Sequence, residues 1–139
     1  MIALDTNVLI YACDKADPRR QQTALDLISN TPDVVILWQV ACEFIAASRK
    51  LDSQGFTAAD AWARLSEFLD VCPLAIPSGK SVLDRAKSLH LVHHVSFWDS
   101  TIVAACLEAG VRLLYTEDIP GGDVGGIAVV NPFVERASR

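Results

Sequence analysis

Met1-Ile2-Ala3-Leu4-Asp5-Thr6-Asn7-Val8-Leu9-Ile10-Tyr11-Ala12 opens the chain, and its reading decides the fold. Ile2 to Leu4 is a short aliphatic run of the kind that forms a strand buried on both faces, and from Asn7 to Cys13 the apolar residues fit a helix. At the junction stands an acid, Asp5. A carboxylate buried without a partner costs several kcal/mol, so one lodged at the edge of apolar sequence calls for a compensating group.

Outward from this unit, short aliphatic runs alternate with longer helical patterns, the signature of a parallel sheet wrapped by helices. Further strands are expected at Val34 to Trp38, Leu74 to Ile76, Leu113 to Tyr115 and Ile127 to Val130. Helices are expected at Arg19 to Ile28, Val40 to Leu51, Ala58 to Leu69, Lys80 to Leu89 and Phe97 to Ala109. Their ends are punctuated: Pro18 suits a helix start, Thr57 with Asp60 and Ser96 with Asp99 read as capping boxes, and Gly110 suits a stop. Pro120 to Gly126 reads as a glycine-rich turn, without the Gly-Lys-Ser/Thr of a phosphate loop. Ala58, Ala61, Trp62, Leu65, Phe68 and Leu69 form a stripe that is either core or interface.

Three more acids repeat the anomaly of Asp5: Glu43, Asp99 and Asp118. In an open parallel sheet, function gathers at the carboxyl ends of the strands, near the point where strand order reverses. Asp5 ends the first strand, and Asp118 follows the fourth after two intervening residues. Glu43 lies early in the helix leaving the second strand, and Asp99 lies in the first turn of a helix that runs back into the fourth, so all four are expected on one rim. Carboxylates brought that close require a cation or raise one another's pKa. An all-oxygen set suits magnesium or manganese, whereas zinc would want His or Cys. Each acid also has a local reading: Asp5 and Asp99 as helix caps, Glu43 as a solvated helix residue, Asp118 as a turn residue like Glu117 and Asp123.

With 139 residues, 51% of them hydrophobic and 21% charged, the chain fits a single folded domain over 1–139 rather than a disordered one. No apolar stretch approaches the roughly 18 residues of a membrane span, and Asp5 comes too early for a signal peptide, so a cytoplasmic protein is expected. Cys13, Cys42, Cys72 and Cys106 form no Cys-x-x-Cys pair and are expected as buried thiols. His90, His93 and His94 fall where a loop is expected, and Trp38 and Trp98 are expected in the core.

The opening stretch, Glu43-Phe44, Ser96-Phe97-Trp98-Asp99-Ser100, Tyr115-Thr116-Glu117-Asp118 and Asn131-Pro132-Phe133 together resemble the PIN-domain family, in particular VapC-type ribonuclease toxins of toxin-antitoxin pairs. The resemblance covers essentially the whole chain. It implies a three-layer α/β/α sandwich with a five-stranded parallel sheet, cleaving RNA with Mg2+ or Mn2+, as a homodimer held silent by a cognate antitoxin. By motif match Asp5, Glu43, Asp99 and Asp118 are the catalytic and metal-binding set, Asp5 and Asp99 foremost, with Asn7 and Thr116 in supporting positions. Glu117 and Asp123 leave the fourth position ambiguous.

A net charge of −5 is unusual for an RNA binder, but setting aside the four acids brings it to −1. Binding should then be gated by metal, with Arg19, Arg20, Arg49, Lys50, Lys80, Arg85 and Lys87 as local guides for phosphate. A phosphoacceptor signalling domain would need an aspartate after the third strand, where Ala75-Ile76-Pro77-Ser78-Gly79 stands, and a haloacid-type phosphatase would need one where Asn7 stands. A PIN fold serving protein binding or RNA processing without a toxin role is the remaining alternative.

Overall fold

The computed structural model describes residues 1–134. Strands β1 (Ile2–Leu4), β2 (Val34–Leu37), β3 (Leu74–Ala75), β4 (Leu113–Tyr115), β5 (Gly122–Val124) and β6 (Ile127–Val130) alternate with helices α1 (Thr6–Cys13), α2 (Pro18–Asn30), α3 (Trp38–Ala47), α4 (Ala58–Val71), α5 (Lys80–Val92) and α6 (Phe97–Ala109). The six strands form one sheet in the order β3-β2-β1-β4-β6-β5. All neighbours are parallel except β5, which runs antiparallel to β6.

The chain moves from β1 outward to β2 and β3, then returns to lay β4 on the other side of β1. This reversal opens a crevice at the carboxyl ends of β1 and β4, where ligands of such sheets bind. Every residue of β2 is buried, as expected of a strand covered on both faces. Helices α1 to α4 pack on one another as one group and α5 on α6 as a second, with α6 lying against β2 and β6. The result is a three-layer α/β/α sandwich whose core includes Leu4, Leu9, Ile36, Leu37, Phe44, Val103 and Leu114.

The helix ends use the expected residues, with one difference. Asp17 caps α2 with Pro18 in its first turn, and Thr57 and Asp60 form a reciprocal capping box on α4. Ser96 Oγ accepts from the Asp99 N–H at 3.4 Å, but among the described residues the Asp99 carboxylate makes no return bond, so the box is half formed.

Several boundaries differ from expectation. Trp38 begins α3 instead of ending β2, and β3 stops at Ala75. The helix expected to reach Leu51 tightens into a 3-10 turn over Ser48–Gln54, where Ser48 Oγ bonds back to the Ile45 carbonyl at 2.7 Å. Helix α5 runs on to Val92, so His90 is helical and only His93 and His94 lie beyond it. The glycine-rich turn contains the sixth strand, β5, because Gly125 and Gly126 hold φ of 61° and 97° and fold the chain into a hairpin. Gly125 is also fixed by space, since a Cβ there would meet Leu89 Cδ2 at 2.6 Å.

Cys13, Cys72 and Cys106 are buried free thiols as expected, whereas Cys42 is exposed. Trp38 and Trp98 are not core residues: they are 55% and 66% exposed. On α4 the stripe divides, with Ala61, Leu65 and Phe68 buried and Trp62 60% exposed.

Candidate active site

Residues at the ends of β1 and β4 build the crevice. Asp5 is buried and caps α1, accepting from the Thr6 N–H at 2.7 Å through Oδ1. Its own N–H donates to the Tyr115 carbonyl at 2.9 Å, which extends the β1–β4 ladder by one bond and sets the carboxylate into the crevice. Its second oxygen accepts from Thr116 Oγ1 at 2.7 Å. Helix capping and a place in the site are therefore compatible, since one oxygen serves each.

Thr116 is fully buried and organises the turn after β4. While donating to Asp5, its hydroxyl accepts from Asn7 Nδ2 at 3.2 Å and from the Asp118 N–H at 3.1 Å. Asn7 clasps the same turn through both ends of its amide. Nδ2 donates to Asp118 Oδ2 at 3.1 Å, and Oδ1 accepts from the Glu117 N–H at 3.3 Å.

Glu43 reaches the crevice from the second turn of α3. Thr6 Oγ1 donates to its Oε2 at 2.9 Å and Gln39 Nε2 to its Oε1 at 3.0 Å. Gln39 also donates to Thr101 Oγ1 at 3.0 Å, tying α3 to α6 two residues beyond Asp99. Among the described residues no hydrogen bond joins Asp99 itself to the other three acids. Asp99 borders a neighbouring cleft of about 350 Å³ with His93, His94, Ser96 and Asp123.

The other two candidate acids are engaged elsewhere. Asp123 Oδ1 accepts from the Gly126 N–H at 2.9 Å within the β5–β6 hairpin. Glu117 accepts from Tyr11 Oη at 2.8 Å and from Arg20 Nε at 3.2 Å.

Burial pushes the Asp5 carboxyl above its ordinary value; hydrogen bonds from Thr116 and Thr6 oppose this, and the charges of Asp118 and Glu43 add to it. Burial, with a smaller contribution from the Asp5 charge, likewise holds the Cys106 thiol up at about 12, so it stays neutral. Among the described residues no lysine or arginine forms an ion pair with Asp5, Glu43, Asp99 or Asp118. Among the described residues, the side-chain hydrogen bonds to Asp5, Glu43 and Asp118 come from neutral Thr, Asn and Gln groups. The carboxylate oxygens themselves, an all-oxygen set, fit a hard divalent cation.

The side chains as they stand do not form a closed cage: among the described residues no three His, Cys, Asp or Glu groups converge tightly enough to enclose an ion. This departs from a simple convergence of all four acids. It suits an ion bound through one or two carboxylates and several waters, which is how magnesium is commonly held.

Several of the basic residues expected to guide phosphate are committed to carboxylates: Arg20 to Asp17 and Glu117, Arg49 to Asp52, Lys80 to Asp84, and Arg85 to Glu108. Lys50 lines a cleft of about 430 Å³ together with Asn7, Glu117 and Asp118. Sequence reasoning did not single out Thr6 and Gln39 as holders of Glu43. The i,i+4 spacing of Gln39 and Glu43 was a usable signal for the second; Thr6 carried none beyond its place beside Asp5.

The family model for the PIN domain matches residues 2–119. No curated protein sequence is significantly similar to the chain. Among solved structures, the sarcin-ricin loop cleaving toxin VapC20 of Mycobacterium tuberculosis is similar at a TM-score of 0.65 and 20% identity, covering 85% of this chain and 90% of that one. VapBC2 of Rickettsia felis, crystallised with a DNA fragment from its promoter, is similar at a TM-score of 0.68 and 18% identity, covering 94% of this chain and 98% of that one.

Proposed function

The chain belongs to the PIN domain family, and on that premise we propose that it is a divalent-metal-dependent endoribonuclease, the toxin of a toxin-antitoxin pair. The observation that carries the reading is Asp5: a buried carboxylate at the strand-order reversal, beside Asp118 and Glu43, with no ion pair to a lysine or arginine among the described residues. Such a site is costly for the protein alone and is relieved by a bound cation. The two structurally similar toxin systems support the assignment by their shared architecture.

Asp5 and Asp118 would hold Mg2+ or Mn2+, with Glu43 and Asp99 completing the site through direct or water contacts. When bound, the ion supplies positive charge that offsets what develops on a phosphodiester and makes water a better nucleophile at neutral pH. The chain's own residues do the rest. Thr116 and Asn7 fix Asp5 and Asp118, Thr6 and Gln39 fix Glu43, and the wall formed by α1, α3 and α6 confines the reacting phosphate between them. Glu43, whose oxygens accept from the neutral Thr6 and Gln39 side chains, would accept a proton from the attacking water. Lys50, which lines the same cleft as Asp118, would pair with a flanking RNA phosphate.

The apolar side chains left exposed on α5 and the start of α6, Leu83, Leu91, Val92, Phe97 and Trp98, are a surface for a second copy or the antitoxin. No described helix is long and apolar enough to cross a membrane; the cytoplasmic location goes with the toxin reading, whose RNA substrate lies there.

Cleavage of short single-stranded RNAs with Mn2+, Mg2+ and chelator tests the nuclease. Metal-dependent cleavage abolished by Asp5→Asn is expected, and metal-independent or absent cleavage overturns the reading. An adjacent reading frame for a small DNA-binding protein, and its capture of this chain on co-expression, distinguishes a toxin from an RNA-processing enzyme.

A further inference from the structure

Two neighbouring acids leave the turn after β4 for different partners. Asp118 is held by the Asn7 amide at 3.1 Å. Glu117 is held by Tyr11 on α1 and Arg20 on α2, at 2.8 Å and 3.2 Å. We infer that Arg20 and Tyr11 are positioning residues, which by anchoring Glu117 fix the rotation of the turn and so the direction in which Asp118 faces the acidic crevice. The inference rests on the nuclease reading above and names the residues that set one of its acids.

The anchor is built from several contacts that agree with one another. The Arg20 guanidinium lies 5.3 Å above the centre of the Tyr11 ring, and Phe133 meets that ring edge-on at 4.8 Å. Arg20 also donates through Nη1 to Asp17 at 3.0 Å, and Asp17 caps the helix that carries Arg20. One guanidinium is thus shared by two carboxylates and stacked on a ring, which fixes its place and leaves it little charge to offer a phosphate. That argues against Arg20 as an RNA contact. Opposite it, the Glu117 N–H is held by Asn7 Oδ1 at 3.3 Å, so backbone and side chain of one residue are gripped from two sides. A turn gripped in this way has one orientation, and Asp118 inherits it. Glu117 is therefore the anchor of the fourth acidic position and not the acid itself.

The test compares Tyr11→Phe, Arg20→Gln, Glu117→Gln and the double variant Arg20→Gln/Glu117→Gln with the parent. It reads Mn2+ affinity by titration calorimetry, the KM and kcat of RNA cleavage, and Tm with chelator. Each single variant should weaken Mn2+ binding and lower kcat, by about tenfold, the low end of the loss when residues supporting a ligand are removed, while KM for RNA stays at the parent value. The double variant should lose no more than the worse single one, because both act through the same turn. Tyr11→Phe deletes a single hydroxyl and keeps the test decisive if an Arg20 variant fails to fold.

Unchanged Mn2+ affinity with only a lower Tm would reduce the network to scaffolding and overturn the inference. A raised KM for Arg20→Gln with parental Mn2+ affinity would make Arg20 an RNA contact and overturn it too. A loss in Glu117→Gln far beyond that in the other two would make Glu117 itself an acid of the site. If the parent neither binds Mn2+ nor cleaves RNA, the nuclease reading fails first and this inference falls with it; a parent that does both, with variants that match it, removes this inference alone.

Discussion

Thr116 Oγ1 and Asp5 Oδ2 lie 2.7 Å apart, a buried hydrogen bond spanning 111 positions of sequence and joining the ends of the two strands that flank the strand-order reversal. The bond lowers the Asp5 pKa against the effect of burial, so the same hydroxyl both orders the crevice and keeps its central acid ionisable.

Thr116→Val keeps the shape of the side chain and removes that hydroxyl. Asp5, Asn7 and the Asp118 N–H each lose a partner, and a destabilisation of about 1–3 kcal/mol at neutral pH is expected. Denaturant unfolding at pH 7 measures it. A variant as stable as the parent would show that water replaces the hydroxyl without cost.

Asp5→Asn addresses the cost of the buried charge. Because the folded pKa of Asp5 is raised from its ordinary value of 3.8, the native state holds the extra proton between the two values. Stability due to this group is therefore greatest below 3.8, falls as pH rises through that window, and stays reduced above it. With chelator at pH 7 the Asn variant should melt no lower than the parent, and its advantage should disappear at acid pH. RNA cleavage should drop by orders of magnitude while the fold, read by circular dichroism, persists. A variant that melts well below the parent at pH 7 would mean that the two hydrogen bonds to Asp5 outweigh its burial.

For Asp99 the deciding measurement is the melting shift produced by Mn2+. The group that Ser96 caps is the Asp99 backbone N–H, not its carboxylate, so Asp99→Asn should leave the chelated protein about as stable as the parent. It should shrink the stabilisation that millimolar-range Mn2+ gives, since a ligand raises Tm only through what binds the native state. An unchanged metal shift would remove Asp99 from the site, and a loss of about 1 kcal/mol without metal would assign it to capping.

Gly125→Ala tests the hairpin. A residue with a Cβ at φ 61° is strained by roughly 1–2 kcal/mol, and here the added atom also meets buried Leu89. Thermal unfolding should show at least that loss. A neutral substitution would mean that β5 is held by its pairing with β6 and not by the turn.

The apolar runs and helix caps made most of the fold legible, because β1, β4, β6 and the starts of α2, α4 and α6 are specified by contiguous residues. Asp5, Glu43 and Asp118 could be placed on one rim from strand order alone. What escaped depends on side-chain direction. Nothing in Tyr115-Thr116-Glu117-Asp118 says which acid turns toward Asn7, since the partners that Glu117 and Asp118 meet, Tyr11, Arg20 and Asn7, lie about a hundred positions away. Asp99 was expected on the same rim as the other acids; among the described residues no hydrogen bond joins it to them, and Gln39 of α3 reaches Thr101, two residues beyond it. Trp38 and Trp98 misled because an aromatic residue beside a buried segment reads as core, and only the helix starting point sets which way it faces. The hairpin strand β5 was hidden by its composition, as three residues beginning with glycine carry little strand preference.

The two margins of the sheet bear on the behaviour of the protein before it is fully folded. Parallel pairing between distant segments forms slowly and leaves strand edges open to other chains in the meantime. Here one margin is β3, two residues set between Pro73 and Pro77, and the other is β5, three residues that turn back on β6. Neither offers an unpaired ladder long enough to template a foreign strand, and proline cannot donate to one. The central parallel strands are thus shielded at both flanks from self-propagating assembly, which favours recovery of monomeric chain during refolding at high concentration.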